Sequence, residues 1–257
     1  MNGRVLIIAG SDSGGGAGIQ ADIKSVTMLD AFAATAITAL TAQNTEGVFA
    51  VLPVAPDFIR RQIEVVLDDI GADAVKTGAL LSVPIVEAVA AGLAGRGLPL
   101  VIDPVVSATT GRELTAAPAV DAMVRLLFPL ATVVTPNLHE AEMLAGGTGT
   151  RRELAERIAA RGVAAVLITG GHGEPVDHLF AEGEHVEIAV PRHDVPATHG
   201  AGCTHSATLA AALAKGSTLR DAAERAARVT AEAVRRGLTG IGAGEGPVDV
   251  LGLAERG

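Results

Sequence analysis

Tryptophan and tyrosine are absent from this 257-residue chain, and five phenylalanines supply its 2% aromatic content. Proteins that bind single strands or sugars by stacking need aromatic faces, so a stacking platform is disfavoured. Cysteine occurs once, at Cys203. That removes an intrachain disulfide framework and a multi-cysteine zinc site, and it suits a reducing, cytoplasmic setting. Positive charge is also scarce, with 20 Lys and Arg against 29 Asp and Glu and a formal net charge of -9. Without a dense basic run, neither nucleic acid nor an anionic membrane surface is expected as a partner. Long apolar runs are missing as well. The run at 4–9 ends at once in Gly10-Ser11-Asp12-Ser13-Gly14-Gly15-Gly16, too short for a signal segment or a bilayer span. It reads as a buried first strand.

What is present is a hydrophobic content of 49%, enough for one large domain, and an alternation of short β-branched runs with helix-period segments. That alternation marks an α/β fold with a mostly parallel sheet. Strands are expected at 4–9, 34–41, 73–77, 99–102, 131–135 and 163–168, with a short one at 48–54. Helices are expected at 56–67, 83–94, 116–128, 137–145 and 151–161. In the second of these lists, positions 58, 59, 63, 66 and 67 form the apolar face of the first helix. Segments 176–181 and 185–190 read as a hairpin outside the alternating pattern. No linker or repeat divides the chain, and the Gly-rich stretch 237–247 is expected to be the loosest.

In such sheets the active crevice lies beyond the carboxyl ends of the strands. Polar or glycine residues stand at each expected end: Gly10 to Asp22, Thr41-Ala42-Gln43-Asn44-Thr45, Lys76-Thr77-Gly78, Asp103-Pro104-Val105, Thr135-Pro136-Asn137-Leu138-His139-Glu140 and Thr169-Gly170-Gly171-His172. The run Thr198-His199-Gly200-Ala201-Gly202-Cys203-Thr204 opens an Ala-rich helix. Its small residues permit a tight turn, and the helix start directs N–H groups and a positive dipole at one spot, a site for an anion. A thiol there is expected to have its pKa lowered toward neutrality. The plainer reading of Cys203 is a small buried hydrophobe.

Asn137 and Glu140 make an ordinary capping pattern. With Asp103 they also form an oxygen donor set that Mg²⁺ accepts. Neither G-x-G-x-x-G nor G-x-x-x-x-G-K-[ST] occurs, and H-E-x-x-H and G-x-S-x-G are absent.

Taken in order along the chain, Gly10-Ser11-Asp12-Ser13, Gly15-Gly16-Ala17-Gly18-Ile19-Gln20-Ala21-Asp22, Thr41-Ala42-Gln43-Asn44-Thr45, Asp103-Pro104-Val105, Thr135-Pro136-Asn137, Gly170-Gly171-His172 and Gly200-Ala201-Gly202-Cys203-Thr204 resemble the hydroxymethylpyrimidine/phosphomethylpyrimidine kinases of thiamine biosynthesis. The resemblance implies a ribokinase-like three-layer α/β/α sandwich over 1–257, with a small extra-sheet β element and commonly a homodimer. It also implies ATP, Mg²⁺ and two successive phosphorylations of a small pyrimidine. It places Gln43 on the pyrimidine edge, and Asp22 and Gly10 close to the substrate. Gly200, Ala201 and Gly202 become the anion hole, with Cys203 beside the attacking oxygen. Asp103 and Glu140 organise the metal, while Asn137, Thr169 and Gly171 meet ATP.

The chain departs from the family pattern in the 107–113 loop, where Thr109 stands in place of a common lysine. It does so again at Thr169 and Ala197, where many relatives carry Lys and Asn. Pyridoxal or pyridoxine kinases share Gly-Ala-Gly-Cys and form the alternative, against which Gln43-Asn44 argues. A catalytically silent pyrimidine-binding protein is the remaining one.

Overall fold

The computed structural model describes residues 3–107, 114–171 and 173–256. Most of the 107–113 loop, with Thr109, and His172 therefore lie outside the described residues. The strands are β1 (Arg4–Asp12), β2 (Phe32–Asn44), β3 (Gly47–Pro53), β4 (Ala74–Thr77), β5 (Leu100–Ile102), β6 (Val133–Val134), β7 (Ala165–Ile168), β8 (Val176–Ala181) and β9 (Glu184–Ala189). The helices are α1 (Gly18–Met28), α2 (Pro56–Asp69), α3 (Val83–Leu93), α4 (Ala117–Leu126), α5 (Leu138–Ala145), α6 (Arg151–Ala159), α7 (Ala201–Ala214) and α8 (Leu219–Arg235).

The layering follows from the two-residue period of a strand. Along β1, Val5, Ile7 and Ala9 join one apolar cluster while Leu6 and Ile8 join another. The first cluster includes residues of α1, α7 and α8. The second includes residues of α2, α3, α4, α5 and α6. With both faces covered, the strand tolerates no polar position in its interior, which is why 5–9 is continuous apolar sequence.

The strand order is β3-β2-β1-β4-β5-β6-β7-β8-β9. β2, β1, β4, β5, β6 and β7 run parallel, whereas β3, β8 and β9 are antiparallel additions. Chain order reverses direction between β1 and β4, so their carboxyl ends form the switch-point crevice.

Local chemistry sets the helix boundaries. Pro56 stands at the start of α2, where its missing N–H costs nothing. Asn137 and Thr150 close capping boxes with Glu140 and Glu153 at the starts of α5 and α6. On α2, Ile59 and Ile63 are fully buried, but Phe58 is 61% exposed. Neighbouring helical positions lie about 100° apart, so 58 and 59 cannot both face the core.

Three expectations change. The second strand continues past 41 to Asn44, because β3 hydrogen-bonds its far half through Gln43↔Val48 and Asn44↔Gly47. Gln43 is thus on a strand and not in the loop after it. The expected extra β elements, 48–54 and the 176–190 hairpin, are hydrogen-bonded onto the two edges of the one sheet. The stretch 237–247 is tied down: Glu245 N–H donates to Thr45 O at 3.1 Å, Gly244 N–H to Thr45 Oγ1 at 3.1 Å, and His199 N–H to Gly246 O at 3.2 Å. Its glycines serve close backbone approach.

Ile63 is fully buried between α2 and α3, so Ile63→Ala should lower stability by about 2–5 kcal/mol through lost burial and a residual cavity. Arg220→Ala, on an exposed ion pair, should change it by less than ~0.5 kcal/mol. Urea unfolding followed by far-ultraviolet circular dichroism checks both.

Candidate active site

Beyond the carboxyl ends of the parallel strands lies a cavity of about 690 Å³. From β2 to β7 it crosses five strand spacings, roughly 24 Å at about 4.8 Å each. Gly10, Gln43, Asp103, Asn137, Glu140, Thr169, Gly171, Gly200, Ala201, Gly202 and Cys203 all line it. Asp22 does not. Its carboxylate is fully buried beneath the floor, where it accepts two hydrogen bonds from Lys76 Nζ at 2.9 Å each. The expected substrate contact at Asp22 is therefore corrected to a clamp on Lys76, because α1 packs its Asp22 face inward onto the sheet.

At the β1–β2 end, the glycine loop after β1 wraps the Asp12 carboxylate. Asp12 accepts N–H bonds from Gly14 at 2.7 Å, Gly16 at 3.0 Å and Ala17 at 2.8 Å, and its Oδ2 lies 3.1 Å from His199 Nε2. Burial alone would raise this carboxyl, but His199 and the loop amides outweigh it and hold the group below the usual range. Gln43 is held at its backbone by Ser13, whose Oγ accepts from Gln43 N–H and donates to Gln43 O, both at 2.8 Å. The Gln43 amide reaches His199 and Thr41.

Lys76 occupies the centre. Its ammonium is fully buried, paired with Asp22 and 3.7 Å from Asp103 Oδ2. Burial lowers its pKa, but Asp22, Cys203 and Asp103 outweigh that and raise it, so the charge persists. Asp22 is pushed up to about 6, by burial first and Asp103 also, against the pull of Lys76. Ser206 Oγ donates to Asp103 Oδ2 at 2.8 Å and links α7 to the same cluster.

Gly200 begins α7 with φ +83°, and a Cβ there would overlap the Gly16 carbonyl oxygen, so the turn requires glycine. The Ala201 N–H donates to Thr198 O at 3.0 Å. The amides of Gly202 and Cys203 are those that the helix start directs at an anion. Cys203 differs from expectation: burial pushes its thiol up to about 12, Asp22 and Asp103 add to this, and Lys76 only partly opposes them. Burial of the thiol, with the carboxylates adding to it, outweighs the helix dipole.

Toward β6 and β7, Asn137 caps α5. Asn137 Oδ1 accepts from Glu140 N–H at 3.0 Å, and Asn137 N–H donates to Glu140 Oε2 at 2.9 Å. The capping reading is thus realised, and it leaves the Glu140 carboxyl at the cavity wall. Burial and Asp103 push Glu140 up to about 8. Among the described residues no group of three or more His, Cys, Asp or Glu side chains is arranged to hold a metal. Two buried carboxylates that repel one another nevertheless fit Mg²⁺, which takes one or two protein carboxylates plus water or phosphate. Thr169 N–H donates to Pro136 O at 2.9 Å, and Gly170 N–H donates to Asp177 Oδ1 at 2.6 Å. Asp177 Oδ2 lies 2.8 Å from His205 Nε2. Ala227, Thr230 and Val234 of α8 close this end.

Sequence reasoning listed Lys76 only as a strand-end residue and missed the His199–Asp12 and His205–Asp177 pairs. The one signal for Lys76 was a lysine closing a buried β run, a position that demands a carboxylate partner. The partners of His199 and His205 are 187 and 28 residues away, beyond any local pattern.

A family model described as phosphomethylpyrimidine kinase matches residues 12–249. The thiamine biosynthesis bifunctional protein ThiED of Geobacter sulfurreducens is 44% identical over 98% of this chain. The chain spans about half, 53%, of that relative's length. The hydroxymethylpyrimidine/phosphomethylpyrimidine kinase of Bacillus subtilis is 43% identical over 96% of this chain and 94% of its own. Among solved structures, an ADP complex of Bacillus subtilis pyridoxal kinase matches with a TM-score of 0.89 at 36% identity, covering 98% of this chain and 99% of that one.

Glu140 binds a proton in the native state up to about pH 8 but releases it near 4.5 when unfolded. Between those values the native state holds more protons, so this group's contribution to stability falls as pH rises. Glu140→Gln, which keeps an acceptor for Asn137, should stabilise the protein at pH 8 relative to wild type. At pH 4.5 it should differ little. Urea midpoints of both proteins at the two pH values measure this.

Proposed function

Because the chain belongs to the phosphomethylpyrimidine kinase family, we propose that it transfers the γ-phosphoryl group of ATP to the hydroxymethyl oxygen of 4-amino-5-hydroxymethyl-2-methylpyrimidine, and then phosphorylates that phosphate, as part of thiamine biosynthesis. One observation carries the reading. A single trough joins a side-chain amide at Gln43, a helix start at Gly202 and Cys203, and a glycine-lined end at Thr169 and Gly171. An aminopyrimidine at the first, a transferring phosphoryl at the second and a nucleotide at the third would lie in line along the strand ends.

In this reading the Gln43 amide offers one donor and one acceptor to the ring nitrogen and exocyclic amine. Gly10 lines the same end. The Gly202 and Cys203 amides, with Gly200 and Ala201 shaping the turn, face the oxygens on which charge builds. Lys76 adds a buried positive charge behind Asp103. Asp103 and Glu140 would hold Mg²⁺ directly or through water, and the ion would neutralise charge on the phosphate oxygens. Asn137 fixes the Glu140 carboxyl, and Thr169 and Gly171 meet ATP.

A thiol held near 12 stays protonated at neutral pH, so Cys203 is no pre-formed thiolate. In a loose phosphoryl-transfer transition state the alcohol proton leaves late, and positioning outweighs base strength. Cys203, as a neutral thiol, orients the attacking oxygen, and the alcohol proton passes to an oxygen of the transferred phosphoryl group as the bond forms. We further propose one kinase domain over 1–257 in a cytoplasmic setting, for which the lone Cys203 is the support. No helix among the described residues is long and apolar enough to cross a membrane.

Phe49 and Leu52 on β3 are 65% and 64% exposed, with Leu40 of β2 and Phe58 of α2 also exposed. An apolar edge of this kind supports a homodimer through that face. Phe49→Glu with Leu52→Glu should convert a dimer to a monomer in sedimentation velocity, and an unchanged mass would remove that face from the interface.

Mass spectrometry of products from the protein with ATP, Mg²⁺ and the hydroxymethylpyrimidine, its monophosphate or pyridoxal tests the activity. A pyrimidine diphosphate is expected. Arrest at the monophosphate would trace the second step to the lysine that Thr109 replaces. Phosphorylated pyridoxal with no pyrimidine product would overturn the substrate, and nucleotide left intact with every substrate would leave a silent binding protein.

A further inference from the structure

Gln43 can recognise an aminopyrimidine only if its amide oxygen and nitrogen stand in the correct order, since a half-turn of the amide exchanges donor for acceptor. The surroundings of the amide decide that order. In the structure the Gln43 amide Nε2 lies 3.4 Å from His199 Nε2 and its Oε1 lies 3.2 Å from Thr41 Oγ1; a half-turn of the amide exchanges the two atoms at the same two places. The same His199 Nε2 lies 3.1 Å from Asp12 Oδ2. Asp12 already gathers the N–H groups of Gly14, Gly16 and Ala17, an arrangement that only a carboxylate accepts. His199 Nε2 must therefore carry a proton and point it at Asp12. A nitrogen that bears a proton cannot accept one from an amide NH₂, so the group facing it is the amide oxygen. On the far side the amide nitrogen then donates to Thr41 Oγ1, whose own proton goes to Ser11 O at 3.1 Å.

We infer that the Asp12–His199 pair fixes the polarity of the Gln43 amide, with oxygen toward His199 and nitrogen toward Thr41, and so determines which way round a ring presenting one donor beside one acceptor can dock. His199 is a positioning residue in this scheme and acts through Gln43. The pair is built to hold still. The His199 ring lies against Gly16 so closely that a Cβ there would overlap ring atom Cδ2, and Pro247 packs at the same place. Its backbone is pinned on both sides, with His199 N–H donating to Gly246 O at 3.2 Å and His199 O accepting from Val248 N–H at 3.0 Å. This is a structural reason for the strap at 237–248 to be fastened to His199 and Thr45.

The inference rests on the pyrimidine reading for its substrate, but its core is a proton position that can be read without one. Long-range ¹⁵N–¹H correlation spectra of ¹⁵N-histidine-labelled protein at pH 7.5, with His199 assigned by the His199→Gln spectrum, report that position directly. A proton on Nε2 is expected. A bare Nε2 with the proton on Nδ1 alone would overturn the inference, whatever the substrate proves to be.

Kinetics then test the coupling. His199→Ala should raise KM for the hydroxymethylpyrimidine about tenfold while kcat falls less than about threefold, the scale of one lost oriented hydrogen bond. His199→Gln, which returns an N–H near the Nε2 position, should recover most of that loss. In a Gln43→Ala background, His199→Ala should add nothing further, because the two act as one unit. Equal and additive losses in both backgrounds would also overturn it. If wild type phosphorylates no pyrimidine, the functional reading fails, and the spectra alone decide the amide polarity.

Discussion

An ammonium group with no access to solvent sits where chain order reverses in the sheet, and four elements are arranged around it. Lys76 on β4 is held by Asp22 from α1 and Asp103 beyond β5, while Ser206 of α7 ties down the second carboxylate. Removing one partner of such a cluster leaves an uncompensated buried charge, a change that typically costs about 3–5 kcal/mol. The pair is thus a constraint on geometry more than a source of stability. It sets the depth of α1 and α7 against the sheet, and with them the positions of the glycine loop and the Cys203 turn.

The cluster also sets the electrostatics of the cavity. Burial first, and the Asp103 charge with it, pushes the Glu140 carboxyl to about 8 and the Cys203 thiol to about 12. Positive charge placed beside these groups would favour their ionised forms. In the proposed reading a divalent cation at Asp103 and Glu140 and an anion at the helix start would be neighbours, the electrostatic pattern that phosphoryl transfer needs.

Distant parts of the chain meet at the other end of the trough. The stretch after α8 crosses back to Thr45, His199 and the loop after β1. The surroundings of the Gln43 amide are accordingly shared by residues from β1, β2, the start of α7 and the strap. None of these segments could hold the amide alone, because an unsupported glutamine keeps its rotamer freedom.

Much was legible along the chain because it is encoded locally. Two-residue and 3.6-residue apolar periods revealed the α/β alternation, the proline and capping residues placed helix starts, and the glycines at 200 and 202 marked an anion-binding turn. Of the site residues named from the ordered motifs between Gly10 and Thr204, all but Asp22 line the trough. What stayed hidden depends on partners far away in sequence. Asp22 reads as a polar residue near a glycine loop until Lys76, 54 residues later, is packed over it. Cys203 reads as an activated thiol until its burial, and then the carboxylates beneath the helix start, are counted. Lengths of β2 and order in 237–248 depend on Val48 and Thr45 as hydrogen-bond partners. Sequence by itself determined most of the secondary elements and a sheet covered on both faces, because hydrophobic period and backbone chemistry act over a few residues, and its ordered motifs determined the family. Tertiary structure alone decided protonation, side-chain polarity and which polar residues reach the cavity, because charge and desolvation act through space and not along the chain.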